Sequence, residues 1–230
     1  MAHEYHCFED WPGTALERFS VDRQEDTMSK DYTDYFKGRD FVHQIGFYSP
    51  DGEQFVREHN RLFGSGPFVT TVNKFSRVIY RGRELEEPFS LRAYYGAWGS
   101  HSVEVVQQLT PGDSMYTDYN DMDAPGINHL HMFVESLEEA KEACEALGIP
   151  IVVIGYSDLS GALAKCEAMG IDPASVGLDE SKIGFMVVDM TERLGMMVQL
   201  ISDGAKLIHN MVMDAGRDWD GETDLIRPLG

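Results

Sequence analysis

The sequence predicts an α+β fold in which one unit occurs twice. Three observations carry this. Residues 126–134 alternate as a strand, so residues 127, 129, 131 and 133 share one face, with His129 and His131 on it. Residues 41–47 read as a second such strand, with His43 at its centre. Each strand runs into a helical stretch that ends at glycine, 52–63 before Gly64 and 135–147 before Gly148.

Taken in order, residues 1–40 are acidic and aromatic (Glu9, Asp10, Trp11, Tyr32, Tyr35, Phe36) with few regular periods. They read as an N-terminal extension that packs on the domain. His3, His6 and Cys7 lack a second pair of ligands, so the reading for them is structural. A first module spans 41–109. Ser49-Pro50-Asp51-Gly52 turns into its helix, and Gly64-Ser65-Gly66-Pro67 breaks it. Residues 68–75, 77–80, 89–98 and 100–109 are β-rich. Glu104 lies in a valine-rich strand, where a carboxylate either faces solvent or must meet something cationic. Glu58 and His59, on the helix, are expected to face solvent.

A connector, 110–125, leads to a second module at 126–201. In its helix Leu137, Ala140, Cys144 and Leu147 recur at helical spacing. A strand follows at 149–155. Residues 157–181 have no counterpart in the first module and read as an insertion, either a lid or a surface excursion, with helical character at 159–169. The closing strands are 183–189 and 195–201, and Gln199 falls where Glu104 falls in the first module. His43 and Glu104 stand 61 positions apart, His129 and Gln199 70. The difference has the sign the insertion predicts. Residues 202–230 hold a helix at 203–214 and a polar tail.

The bulk numbers set limits. A formal charge of −20 over 230 residues opposes nucleic-acid binding, since phosphates need a basic surface, and disfavours a polyanionic substrate. No apolar run is long enough to span a membrane, and the N-terminus lacks the pattern of a signal peptide. Three cysteines without metal-type spacing (Cys7, Cys144, Cys166) read as free thiols, so a cytoplasmic location is expected.

At this point the sequence resembles the vicinal oxygen chelate superfamily, in its glyoxalase and methylmalonyl-CoA epimerase-like branch. The residues that carry the resemblance are Val42-His43-Gln44-Ile45-Gly46, Leu62-Phe63-Gly64-Ser65-Gly66-Pro67-Phe68, Ser102-Val103-Glu104-Val105-Val106, Ile127-Asn128-His129-Leu130-His131-Met132-Phe133, Val188-Asp189 and Leu194 to Ile201. The resemblance implies two βαβββ modules pairing into a cupped, barrel-like mixed sheet around one cavity. It implies one divalent metal ion (Zn, Co, Ni, Mn or Fe) and no organic cofactor, with the metal on His43, Glu104, His129 and Gln199. Two imidazoles, a carboxylate and an amide suit such an ion and leave two positions for paired substrate oxygens. The position of Gln199 commonly holds Glu in the family. An amide is the weaker ligand and cannot act as a base.

The expected function is a metal-dependent lyase or isomerase/epimerase acting on a small, possibly aromatic molecule with vicinal oxygens. Two alternatives stay open: an Fe(II) extradiol-type dioxygenase, and a metal-free binding or resistance protein on the same fold. Catalytic roles are expected for Glu104 and His131, the latter either an acid/base or a satisfied core histidine. Substrate contacts are expected from Tyr94, Tyr95, Trp98 and Tyr156. Arg77, Arg81, Arg83 and Arg92 could form a local anion site. The family resemblance implies a homodimer.

Overall fold

A computed structural model describes residues 30–39, 41–176, 178–179, 181–203 and 206–228. His3, His6 and Cys7 lie outside the described residues. Tyr32–Gly230 forms one compact unit. Tyr32, in a turn at its start, lies against the second module, its hydroxyl donating to Glu142 at 2.6 Å.

The first module begins with β1 (Phe41–Tyr48) and α1 (Gly52–Phe63). Asp51 caps α1 by accepting from the Gln54 amide at 3.0 Å, and Gly64 closes it in the left-handed region, φ 67°. Then come β2 (Phe68–Asn73), β3 (Phe75–Tyr80), β4 (Arg83–Glu84), β5 (Leu91–Trp98) and β6 (His101–Gln108). A short helix α2 (Met115–Tyr119) bridges to β7 (Gly126–Val134) and α3 (Leu137–Ala146), capped by Ser136. The second module continues through β8 (Ile151–Ser157), α4 (Ser160–Met169), a 3-10 turn (Pro173–Val176), β9 (Phe185–Met190), α5 (Thr191–Leu194) and β10 (Met196–Ser202). Helix α6 (Lys206–Arg217) and β11 (Ile226–Pro228) follow.

The eleven strands among the described residues join one sheet, ordered β11-β2-β5-β6-β1-β7-β10-β9-β8-β3-β4. The order contains two matching quartets, β2-β5-β6-β1 and β7-β10-β9-β8. Each has a parallel pair between its first and last strand, β1 with β6 and β7 with β10. This is the paired βαβββ arrangement that the resemblance implied. One feature departs from it. The β3–β4 hairpin leaves the first module between β2 and β5 and pairs antiparallel with β8, at the edge of the second. Its residues alternate as a strand in either place, so the sequence gives no sign of the crossing.

Each half-sheet packs its outer face on its own helix. Val56 of α1 meets Phe68, Tyr94, Val103 and Val105. Leu137, Ala140 and Cys144 of α3 meet Met186, Val188, Val198 and Leu200. Burial pushes the Cys144 thiol up to about 12, so it stays an inert thiol, and Cys166 is also free. The inner face is filled at one end by an apolar cluster that includes Tyr48, Val106, Met115, Tyr116, Val187 and Met197. The other end is left for polar groups. His59 departs from expectation: it is buried, with Nδ1 2.7 Å from the Ser65 hydroxyl. Among the described residues no helix is long and apolar enough to cross a membrane.

The tightest inter-strand fit is testable. Gly155 pairs with Val78 of β3 and Phe185 of β9, and a Cβ there would stand 2.0 Å from the Phe185 ring. Gly155→Ala is expected to cost about 1–3 kcal/mol of stability by overpacking, read from chemical denaturation midpoints at unchanged slope.

Candidate metal and substrate site

Where the half-sheets meet, β6, β1, β7 and β10 lie side by side. Register decides which residues face inward. Gly46 pairs with both Glu104 and His129, and Gln44 pairs with both Ser102 and His131. His131 pairs in turn with Gln199, and Glu104 with Tyr95. Residues paired in register share a face. The inner floor therefore carries Gln44, Glu104, His129, His131, Gln199 and Tyr95.

His43 is not on that floor, which corrects the sequence expectation. Val42 has φ 66°, and the ladder jumps from Phe41–Met132 to Gln44–His131, so Val42 and His43 bulge out of it. The bulge shifts the inward set to Gln44, Gly46 and Tyr48. In the antiparallel β1–β7 pair, the two-fold that exchanges the strands carries Gln44 onto His129 and Gly46 onto His131. Gln44 thus holds the place expected for His43. The His43 ring instead packs at the rim, 4.9 Å from Phe133 and 5.7 Å from His209 between centroids.

Gly46 is needed here. A Cβ at that position would stand 2.3–2.6 Å from three atoms of the His129 imidazole. Without it, His129 lies over the β1 backbone and reaches across to β6. Its Nε2 is 3.1 Å from Glu104 Oε2 and its Nδ1 is 3.0 Å from Asn128 Oδ1. The Asn128 amide is oriented by its own bond, since its Nδ2 donates to Asn120 Oδ1 at 2.6 Å. Both nitrogens of His129 therefore face acceptor oxygens. Either each carries a hydrogen, or a cation lies between Nε2 and the carboxylate.

Glu104 is 5% exposed, and among the described residues no Lys or Arg pairs with it. His131 is also 5% exposed, and among the described residues neither of its ring nitrogens has a hydrogen-bond partner. Burial, with the neighbouring His129, His209 and His43, pushes its pKa down to about 3, so the ring is neutral. The Tyr95 hydroxyl accepts from Asn73 Nδ2 at 3.0 Å, and burial beside the Glu104 charge raises its pKa well above the usual range. The floor opens onto a cavity of about 140 Å³. Gln44, Ser102, Glu104, His131, Gln199 and Tyr95 line its polar side, Phe133 and Ile201 its apolar side, and Ile208, His209 and Val212 of α6 cover it.

The other expected contacts fall elsewhere. On β5 the alternation turns Tyr95 inward, while Tyr94 and Trp98 point out toward α1, Trp98 against His59. Tyr156 packs with the α3 core and lies under the Arg77 guanidinium at 4.9 Å. Among the described residues of 157–181 none lines the cavity. The arginines do not converge either: Arg77, Arg81 and Arg83 pair separately with Glu84, Asp118 and Asp113. The sequence reading missed Gln44, Ser102 and the α6 residues. The alternation of Gln44 and Gly46 was a usable signal for the first; nothing short of the fold reveals the α6 group.

Among the described residues no three His, Cys, Asp or Glu side chains gather to hold a metal ion. Any metal would need the amide oxygens of Gln44 and Gln199 beside Glu104 and His129. That set fits a divalent ion. Ligand atoms about 2.1 Å from one ion and at right angles to each other stand about 3.0 Å apart, close to the 3.1 Å between His129 Nε2 and Glu104 Oε2. No hydrogen bond among the described residues occupies either Gln amide.

No family model and no curated protein matches the chain. Solved structures do. It is similar to methylmalonyl-CoA epimerase from Mycobacterium tuberculosis, with 13% identity over 74% of this chain and 92% of that one, TM-score 0.43. It is similar to the Streptomyces coelicolor epimerase at 10% identity, over 71% and 97%, TM-score 0.41. A variant of 4-hydroxymandelate synthase from Streptomyces coelicolor matches at 10% identity over 71% of this chain and 49% of that one, TM-score 0.41.

The state of His131 gives a pH test. Its folded pKa lies below the unfolded value of about 6.5, so the unfolded chain takes up a proton that the folded chain refuses. Stability is unaffected by this group above about pH 6.5 and falls as pH drops toward about 3, by up to about 1.4 kcal/mol per pH unit. His131→Gln is expected to flatten that limb of a denaturation-versus-pH curve. An unchanged slope would show that His131 is charged in the folded protein.

Proposed function

We propose that the chain is a metal-dependent lyase or isomerase/epimerase that acts on a small organic molecule bearing two adjacent oxygens. The observation that carries the reading is His129, whose two nitrogens both face oxygen acceptors while Nε2 meets a buried carboxylate with no other cationic partner. A cation shared by His129 and Glu104 satisfies both groups and offsets the cost of burying the charge. Gln44 and Gln199 complete the donor set. Bound there, a divalent ion supplies Lewis acidity to paired substrate oxygens.

The chain's own groups do the rest. Asn128 holds the His129 ring through Nδ1 and so directs Nε2 at the site. Glu104 contributes the one carboxylate of the floor. Gln199 is neutral and moves no proton. The His131 imidazole is turned into the cavity with both ring nitrogens unbonded among the described residues, so it can exchange a hydrogen bond with a substrate oxygen; with its pKa pushed down to about 3 it acts as a neutral hydrogen-bonding group, not as the base. The apolar wall of Phe133 and Ile201 limits water around that oxygen.

Elemental analysis of the purified chain tests this, beside variants. About one divalent ion per chain is expected, lost in Glu104→Ala and in His129→Ala. Gln44→Ala is expected to weaken metal binding at least about tenfold, and His43→Ala to leave it unchanged. The reverse order for Gln44 and His43 would restore the ligand set expected from sequence. Iron as the bound element would turn the reading toward an oxygenase. Absence of metal after reconstitution with Zn, Co, Ni, Mn and Fe(II) would leave a binding protein on this fold.

A further inference from the structure

The crossing of the β3–β4 hairpin delivers a side chain to the floor. Strands β2 and β3 are separated by Lys74 alone, yet β2 pairs with β5 and β3 with β8, toward opposite ends of the sheet. The crossing point is tied to the second module. The Asp158 amide donates to the Lys74 carbonyl at 3.1 Å, and the Ser76 hydroxyl donates to the Tyr156 carbonyl at 3.3 Å. Asn73, the last residue of β2, is held just before it. Its register partner is Leu91, and residues 91, 93 and 95 of β5 share one face, the face that Tyr95 turns inward. Asn73 is therefore on the floor side, and its Nδ2 donates to the Tyr95 hydroxyl at 3.0 Å.

That bond decides where the phenol hydrogen goes. A phenol has one hydrogen to give, and its oxygen here already accepts from Asn73. The hydrogen is left for another acceptor. Tyr95 stands opposite Glu104 in the β5–β6 register, and the carboxylate lies within reach of the hydroxyl. An ionised carboxylate only accepts, so the phenol is the donor. From the other side, His129 Nε2 meets Glu104 Oε2 at 3.1 Å. Glu104 is thus held between a neutral donor on β5 and an imidazole on β7. A glutamate has three rotatable side-chain bonds, and ordering them ahead of binding lowers the entropic cost of taking a ligand.

We propose that Asn73 and Tyr95 are positioning residues for Glu104: Asn73 Nδ2 directs the phenol, and the phenol hydrogen holds the carboxylate turned toward His129. The role rests on the metal-binding reading above for the ion that Glu104 would hold. The crossing strand is then part of the site. The edge of the second module anchors Asn73, while the first module supplies the phenol and the carboxylate on which Asn73 acts.

Cobalt(II) binding to the full chain, read by competition with a chelator and by the visible absorption of the bound ion, tests this. Tyr95→Phe keeps the ring and removes only the hydroxyl. It is expected to weaken cobalt binding at least about tenfold and to alter the absorption. Asn73→Ala is expected to weaken binding by a smaller factor. The double variant is expected to bind no more weakly than Tyr95→Phe alone, because Asn73 acts through the phenol. Asn73→Asp sets an acceptor of the same shape at 73 and draws the phenol hydrogen off Glu104. Its added negative charge would by itself favour the cation, so weaker binding there separates positioning from charge. Unchanged affinity in Tyr95→Phe, losses that simply add in the double variant, or unchanged or tighter binding in Asn73→Asp each overturn the proposal. Melting temperatures of the metal-free forms test the same coupling without the ion. The shift of Tyr95→Phe/Glu104→Gln is expected to fall short of the sum of the two single shifts. A wild-type chain that takes up no cobalt sinks the metal reading. Non-additive shifts in that chain keep the hold of Tyr95 on Glu104, and additive shifts sink it too.

Discussion

The contact between Glu104 and His129 is the constraint around which the inner face is arranged. A carboxylate at 5% exposure needs a partner, and the partner comes from the other module, across β1. That reach is open because residue 46 has no side chain. The register of β1 against both β6 and β7 is thereby fixed, since a slip of one residue would turn Glu104 or His129 to the outer face, among the apolar groups that pack on α1 and α3. Polar chemistry is confined to this stretch of the join. Two residues further along β1 the same face carries Tyr48, beside Val106 and Met197 in an apolar cluster.

The remaining architecture closes the space around that contact. The β3–β4 hairpin gives the first module's chain to the second module's edge, and α2 bridges the two. The Tyr80 hydroxyl donates to the Ser114 carbonyl at 3.1 Å, Arg81 meets Asp118 at 3.1 Å, and the Tyr119 hydroxyl donates to Asp189 at 2.6 Å. These bonds and the aromatic cluster beneath them fill one end of the cleft. The site is therefore bounded on that side by core and on the other by α6. Both outer strands of the sheet, β4 and β11, are very short, which limits the edge they offer to another chain.

Much of this was legible in the sequence. Alternation around His129 and Gln199, and the doubled order of strand, helix and strands, led to the α+β class and to one mixed sheet. What escaped has physical reasons. The bulge at Val42 depends on a positive φ at a β-branched residue, a conformation the chain adopts only under tertiary constraint, so the resemblance that set His43 beside His129 put His43 inward in place of Gln44. Alternation marked Phe75–Tyr80 as a strand but carries no information on its partner. Clustered aromatics on β5 suggested a pocket, whereas the pleat splits them between two faces. The spacing of Ile208 and Val212 fits an apolar helix face without saying what that face covers.

The pseudo-symmetry of the floor is broken in a consistent direction. The two-fold sets Gly46 against His131 and Glu104 against Gln199. One half therefore supplies the negative charge and the space, the other a free neutral imidazole and an amide. Two carboxylates at the 104 and 199 positions would repel each other unless a cation lay between them, and one would be driven to hold a proton. With Gln199 the floor keeps a single charge, placed where His129 can answer it. The imidazole that remains unbonded among the described residues is then the one on the uncharged side, in register with Gln199. The asymmetry separates the group that holds charge from the free neutral imidazole, one in each copy of the repeated unit.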